Sequence, residues 1–278
     1  YSAHTGDIDA SLEQSVFFKV FEKTATPFRD IVEQLLTVYR TGITKILGKG
    51  GTIDIHLSKI FWEHIADAFE DLCGKGITEE QLLRYITGHL HEYLELGDAG
   101  TFEKYLPEEV YIKPSIKPDY FTGTIVRDQN SNEMYIILTP ACDIANDKAK
   151  RILLASVLPL TTDPVNNLRQ AAQRDTDGLA GEELDAANKR KVDAQIELEK
   201  LIHNNHSPKY YFLPRSRNFD GGLINFQLLE TEDPRSMAAR FERLATVNNL
   251  FLKDIIAKFS FYYSRQGAPD LNFTVDDL

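Results

Sequence analysis

Three places in this chain gather side chains able to do chemistry. The first is Thr139-Pro140-Ala141-Cys142-Asp143, directly after a short apolar run. Polar groups emerge where a strand leaves its sheet, so Cys142 and Asp143 are candidates for a nucleophile with an adjoining acid or base. The plainer role is that Cys142 packs as a small hydrophobe while Asp143 caps or turns the chain. No His lies close in sequence to activate the thiol. The second place is the set Arg240, Arg243 and Arg265, whose planar guanidinium groups suit an anion or a phosphodiester. Pairing with the more numerous carboxylates is the alternative. The third is His203, His206 and Lys209 near Arg215 and Arg217, a basic patch on loops. As an effector enzyme, a nuclease or other hydrolase with its site in 139–270, the chain would use Cys142, Asp143 and Arg240 or Arg265 as catalytic residues. That reading requires them to converge in one cleft.

The elements that must position these groups lie in 113–278. Tyr120 to Arg127 and Met134 to Leu138 are strand-like, with a turn over 128–132 between them. Arg151 to Leu158, Tyr210 to Leu213 and Leu223 to Leu229 read as three further strands, the last following Gly221-Gly222. Short strands with turn signals predict an α+β domain with a small bent sheet or half-open barrel. A polar helical insert at about 164–205 interrupts it, since Glu182 to His203 is built from good helix formers. It is a solvated arm or one that docks a partner. A closing helix over Asn248 to Ser264 turns Phe251, Ile255, Ile256, Phe259 and Tyr262 inward. This layout resembles the compact β-barrel of plasmid-maintenance ribonuclease toxins in architecture alone, and no catalytic residue is carried across. The strings L-T-P-A-C-D-I and R-Q-G-A-P-D also resemble bacterial proteins in which a receiver-like domain precedes such a region. That resemblance implies a role in bacterial stress or phage defence.

Residues 49–112 read as a helical connector. Gly48-Lys49-Gly50-Gly51-Thr52 lacks the spacing of a phosphate loop and reads as a linker. The spacing predicts one helix over Ile53 to Leu72. A second, through Leu94, starts at the capping box of Thr78 and Gln81. The second is acidic and would repel a phosphate backbone. His56, His64, His89 and His91 form no ligand motif, so no metal is expected.

The first 48 residues hold a buried aromatic run, Phe17 to Phe21, and then an amphipathic helix from Phe28 to Leu47. Thr26 is its candidate N-cap, with Pro27 at the first helical position. Ser2-Ala3 and Lys23 bracket this run. Together they resemble the C-terminal half of a two-component receiver domain, a parallel α/β fold. In that family a Ser or Thr followed by Ala ends one strand and a Lys ends the next. The resemblance implies phosphoryl-sensing roles for Ser2, on an acyl-phosphate oxygen, and for Lys23, on its charge. Thr24 stands where the family has Pro, and Phe21 lies one place from the switch aromatic. The acidic residues that hold Mg²⁺ and accept the phosphoryl group would precede Tyr1. With no initiator Met, the expectation is a fragment of something longer.

Composition bounds the rest. The 278 residues carry a formal net charge of -11, so a global basic footprint for nucleic acid is absent. Two cysteines form no paired spacing, which fits a reducing, cytoplasmic setting. No apolar run reaches the about 18–20 residues of a membrane span, and no signal peptide opens the chain. The expectation is therefore an α/β receiver half, a helical connector and an α+β domain that together act as a signalling protein. A kinase or output protein would be its partner, and an oligomer is compatible with that reading. No cofactor is expected within the chain. The effector enzyme described above is the alternative.

Overall fold

The computed structural model describes residues 26–47, 50–66, 68, 71, 74–96, 104–113, 115, 116, 119–217 and 219–265. Ser2 and Lys23, on which the receiver resemblance rests, lie outside them. The chain divides into two compact units, Tyr1–Glu103 and Lys104–Leu278. Residues 104–112 thus go with the C-terminal unit, because Tyr111 and Ile112 pair with Val247 and Thr246.

In the first unit α1 runs Phe28–Arg40 and α2 Ile43–Ile46. One helix was expected through Leu47. Gly42 divides it with a φ of +73°, a conformation a side chain disfavours. Pro27 takes the N-cap position, with no side-chain cap. The amphipathic pattern of α1 does not translate into burial: none of its residues is buried, and Phe28 and Tyr39 are 65% and 71% exposed. Helix α3 (Thr52–Ile60) continues into a π-helical turn, Phe61–Ile65. Ile60 and Ile65 are the buried residues of that stretch. Helix α4 (Glu79–Leu96) opens on a reciprocal capping box. The Thr78 amide donates to Gln81 Oε1 at 2.9 Å and the Gln81 amide to Thr78 Oγ1 at 3.3 Å.

The second unit is built on a sheet of seven strands among the described residues. They are β1 (Tyr111–Ile112), β2 (Thr124–Asp128), β3 (Met134–Ile137), β4 (Ile152–Leu158), β5 (Tyr210–Leu213), β6 (Gly222–Glu232) and β7 (Phe241–Val247). Their order is β1-β7-β2-β3-β4-β6-β5. Every pair is antiparallel. The mixed helical and strand content agrees with the class read from sequence, whereas the parallel strands expected there are not found among the described residues. The sheet curls into a half-barrel. Two irregularities sharpen the curl: one between Ile125 and Val126 in the β2–β7 pair, another between Ala155 and Ser156 in β4–β6. The curl brings the two ends of the strand order together. Tyr111 on β1 donates its hydroxyl to the Pro214 carbonyl just past β5, at 2.7 Å.

Among the described residues these α-helices accompany the sheet: α5 (Ala141–Ala145), α6 (Val165–Ala172), α7 (Glu182–Ile202), α8 (Met237–Arg240) and α9 (Asn249–Ser264). Helix α9 covers one face, packing Ile255, Phe251, Leu252 and Phe259 against Ile125, Val157, Ile224, Phe226 and Val247. Asn248 caps it by accepting from the Leu250 amide. The other face carries Val126, Tyr135, Ile137, Ile152, Leu154, Met237 and Phe241, with Ile144 of α5 packed on them. Helices α6 and α7 fall in the expected insert. They are seated at their base by Val165 and Leu201 against Leu223.

Candidate functional site

Of the residues nominated for catalysis, Cys142 and Asp143 stand side by side on one short helix. Thr139 closes β3 with two bonds: its Oγ1 accepts from the Leu153 amide and its carbonyl from Thr122 Oγ1, both at 2.6 Å. Pro140 then starts α5, which places Cys142 on the surface. The Cys142 thiol lies 3.7 Å from Asp143 Oδ1. The Asp143 carbonyl accepts from the Lys148 and Ala149 amides. No hydrogen bond or ion pair among the described residues joins Asp143 to Arg240 or Arg265. Arg265 stacks on the Tyr262 ring at 4.3 Å. The loop histidines and basic residues are dispersed among carboxylates. His206 faces Glu197 at 3.8 Å and Arg215 pairs with Asp220 at 3.2 Å. Among the described residues no group of three or more His, Cys, Asp or Glu could hold a metal ion.

Arg240 instead closes a network. Its guanidinium lies 2.7 Å from Asp128 Oδ2, 2.5 Å from Glu232 Oε2 and 3.8 Å from Glu230 Oε2, and it stacks over Phe241. Asp128 is placed there by the β2–β3 turn, where its Oδ1 accepts from the Asn130 and Ser131 amides. The Asn130 amide, with Arg240 behind it, holds the Asp128 carboxyl below its usual range although burial opposes this. Tyr135 shares its hydroxyl proton between Glu133 and Glu230, at 2.9 and 3.0 Å. Burial first, then these carboxylates, push the phenol up. One cation thus faces a surplus of carboxylates, so the network ties three strands together and presents no anion site.

The network sets an acid limit on stability. The Ser236 hydroxyl, Arg240 and the Asp233 amide hold Glu232 down to about 2 from 4.5. A group whose folded pKa is depressed stabilises fully above its unfolded value and loses that contribution as pH falls toward the folded one. Stability is therefore expected to drop between about pH 4.5 and 2. In Glu232→Gln that drop becomes shallower, measured as urea midpoint against pH. An unchanged slope would remove Glu232 from the account.

What the structure does assemble is a pair of cavities at the β1 end of the sheet. One, of about 310 Å³, is walled chiefly by Ile112, Ile116, Phe121, Ala141, Val247 and Leu252, with Asp119, Thr122, Thr246 and Asn249 at its polar points. The other, of about 320 Å³, is lined by Lys113, Ser115, Arg243 and Leu244. They lie side by side. Ser115 Oγ of one meets Thr246 Oγ1 of the other at 2.9 Å, and Arg243 donates to the Asp119 carbonyl at 3.2 Å. Arg243 also lies over the Tyr120 ring, 5.5 Å from its centroid. Ile116, 84% exposed, sits on the rim of the apolar cavity. Of the stretches singled out in the sequence, Arg243 lines one cavity and Ala141, beside Cys142, lines the other. The others converge from three stretches of chain, and nothing in their local pattern marks them.

The second unit is thus an α+β unit on a curled antiparallel half-barrel, with a two-part groove at one edge. No family model matches the chain. No curated protein matches it. Among solved structures it is similar to MazE-MazF from Deinococcus radiodurans in three crystal forms. Form I is 14% identical with a TM-score of 0.29, covering 54% of this chain and 100% of that one. Form II is 15% identical at 0.29, covering 55% and 100%. Form III is 14% identical at 0.28, covering 52% and 95%. These are not receiver domains. On that finding the expectation of a response regulator in a two-component phosphorelay is corrected, together with its place in bacterial stress or phage defence. The kinase or output partner tied to it falls with it. No helix among the described residues is long and apolar enough to cross a membrane.

Proposed function

We propose that the Lys104–Leu278 unit is a binding module for a protein partner, which it engages at the two-part groove beside β1. The observation that supports this is the apolar cavity of about 310 Å³ adjoining a cation-lined one of about 320 Å³. Concave apolar walls with a few placed polar groups hold a ligand by burial and orient it by hydrogen bonds. Side by side at a sheet edge, two such hollows fit an extended segment better than a compact metabolite. The long sheet-borne arm, α6 with α7, exposes Val192 and Ile196 and offers the same partner further surface.

The test is an array of immobilised ten-residue peptides of varied charge and hydropathy, probed with the full chain and followed by titration of the best binder. Ile116→Asp, at an exposed rim position, and Thr246→Trp, which fills the apolar cavity, are each expected to weaken binding at least tenfold. Binding that both variants leave intact, or no binder anywhere on the array, would overturn the reading.

A further inference from the structure

Helix α7 carries two lines of side chains at heptad spacing. Leu184, Ala187, Ala194, Leu198 and Leu201 are buried or half-buried on its inner side, where α6 packs. The outer line runs Asp185, Lys189, Val192, Ile196, Glu199 and His203, in alternating steps of four and three. All of these are exposed, Val192 at 51% and Ile196 at 45%. Steps of four and three stay on one helix face and form the seam of a two-helix coiled coil. Among the described residues Asp185, Lys189, Glu199 and His203 make no side-chain hydrogen bond or ion pair. Their neighbours Glu197 and Lys200 pair with each other instead, at 2.6 Å. The outer line thus has an apolar centre and unpaired polar ends, which is half of a seam.

We propose that the other half is a second copy of this chain, its α7 antiparallel to the first about a two-fold axis at the level of Ala194. In that register Val192 meets Ile196 of the second copy, Lys189 meets Glu199 and Asp185 meets His203. Each pair recurs on the far side of the axis. These are the layers of an antiparallel coiled coil, in which the two kinds of seam position face each other. An interface between identical surfaces must be complementary to itself. This line meets the condition, since reading it backwards sets each charge opposite its complement. A parallel pair would put Lys189 on Lys189 and Glu199 on Glu199, so charge selects the direction. Asp193 does approach its own copy, but on the solvated flank, where water screens it. The seam is about 27 Å long, and its apolar centre is small, which fits a reversible dimer in the class of weak encounters. A single chain offers Val192 and Ile196 to the partner of the groove. Two chains offer them to each other, and the charges around them favour this second use. The inference does not rest on the groove.

The test is sedimentation velocity of the full chain from about 1 µM to about 300 µM, the range of weak interfaces. The chain is expected to pass from monomer to dimer. Ile196→Glu is expected to weaken the dimer at least tenfold. Lys189→Glu and Glu199→Lys are each expected to do the same, because each change acts twice across the axis. The double variant Lys189→Glu with Glu199→Lys is expected to regain the dimer, since the exchanged charges meet their complements again only in the antiparallel register. All these positions are exposed, and circular dichroism reports whether the helix is kept. A chain that stays monomeric over the whole range would overturn the proposal and leave this face to the partner of the groove. A dimer that Ile196→Glu leaves intact would overturn it by placing the contact elsewhere. A double variant that fails to regain what both single changes lose would overturn the antiparallel pairing. The groove is decided separately by the array and the Ile116→Asp and Thr246→Trp variants.

Discussion

Replacing Arg240 with Met is expected to destabilise the second unit by about 2–3 kcal/mol, below the about 3–5 kcal/mol for removing one partner of a fully buried charge pair. The loss does not come from the Coulomb attraction alone. The Asp128 side chain is 3% exposed, and without the guanidinium it would keep its charge with only the turn amides to solvate it. Glu232 and Glu230 would then repel it and each other. Because Arg240 remains 34% exposed, water screens part of this, which keeps the figure below that of a deep pair. The measurement is hydrogen exchange at the β7 amides in urea, since the single tryptophan, Trp62, lies in the other unit. Arg240→Lys is expected to recover only part, because one ammonium cannot bridge Asp128 and Glu232 as a fork does. Arg240→Met combined with Asp128→Asn should be milder than the single change. If the single change costs less than about 0.5 kcal/mol, the range for an inconsequential surface substitution, the network is ornamental.

The second large effect is expected at Gly221. Its φ is +74°, and a Cβ there would stand 2.8 Å from the Leu213 carbonyl oxygen and 3.0 Å from the Arg215 amide nitrogen. Both obstacles are backbone, held by the β5–β6 pairing from Leu213↔Gly222 onward, so neither can turn aside. Gly221→Ala therefore combines a left-handed conformation, about 1–2 kcal/mol, with overpacking of about 1–3 kcal/mol. Gly178→Ala is the control. Its φ is +83° but nothing lies within 4 Å of the added Cβ, so only the conformational part should appear. Equal losses at the two positions would show that close approach at Gly221 contributes nothing.

The parts of this fold that are legible in the sequence are those set by neighbours along the chain. Met134 to Leu138, Arg151 to Leu158 and Tyr210 to Leu213 carry enough apolar, β-branched and aromatic residues to announce β3, β4 and β5. Strand β7 escapes such reading. Its Glu242 and Arg243 interrupt the apolar run, and the register shift opposite Ile125 and Val126 breaks the period of two. Arg240 is conspicuous as a residue, but its role depends on Asp128, 112 positions away, and on Glu232, eight away. In the first unit α1 shows the opposite failure: a strong helical period in Phe28, Leu35 and Tyr39 predicts a buried face, yet these side chains stay exposed. The paired cavities have no local signature, since Ile112, Ala141 and Leu252 meet only through the curl of the sheet.

The Tyr111–Pro214 bond bears on the order in which a ribosome could deliver this unit. Its two members are 103 positions apart, and the Arg127–Glu242 contact across β2 and β7 spans 115. The meander β2-β3-β4 can form early from adjacent sequence. Strand β1, although it emerges before all of these, has no neighbour in the sheet until β7 arrives and slides between it and β2. Such non-local closure makes for slow folding. A nascent chain released before Val247 would carry two open strands, β1 and β2, on offer to other chains.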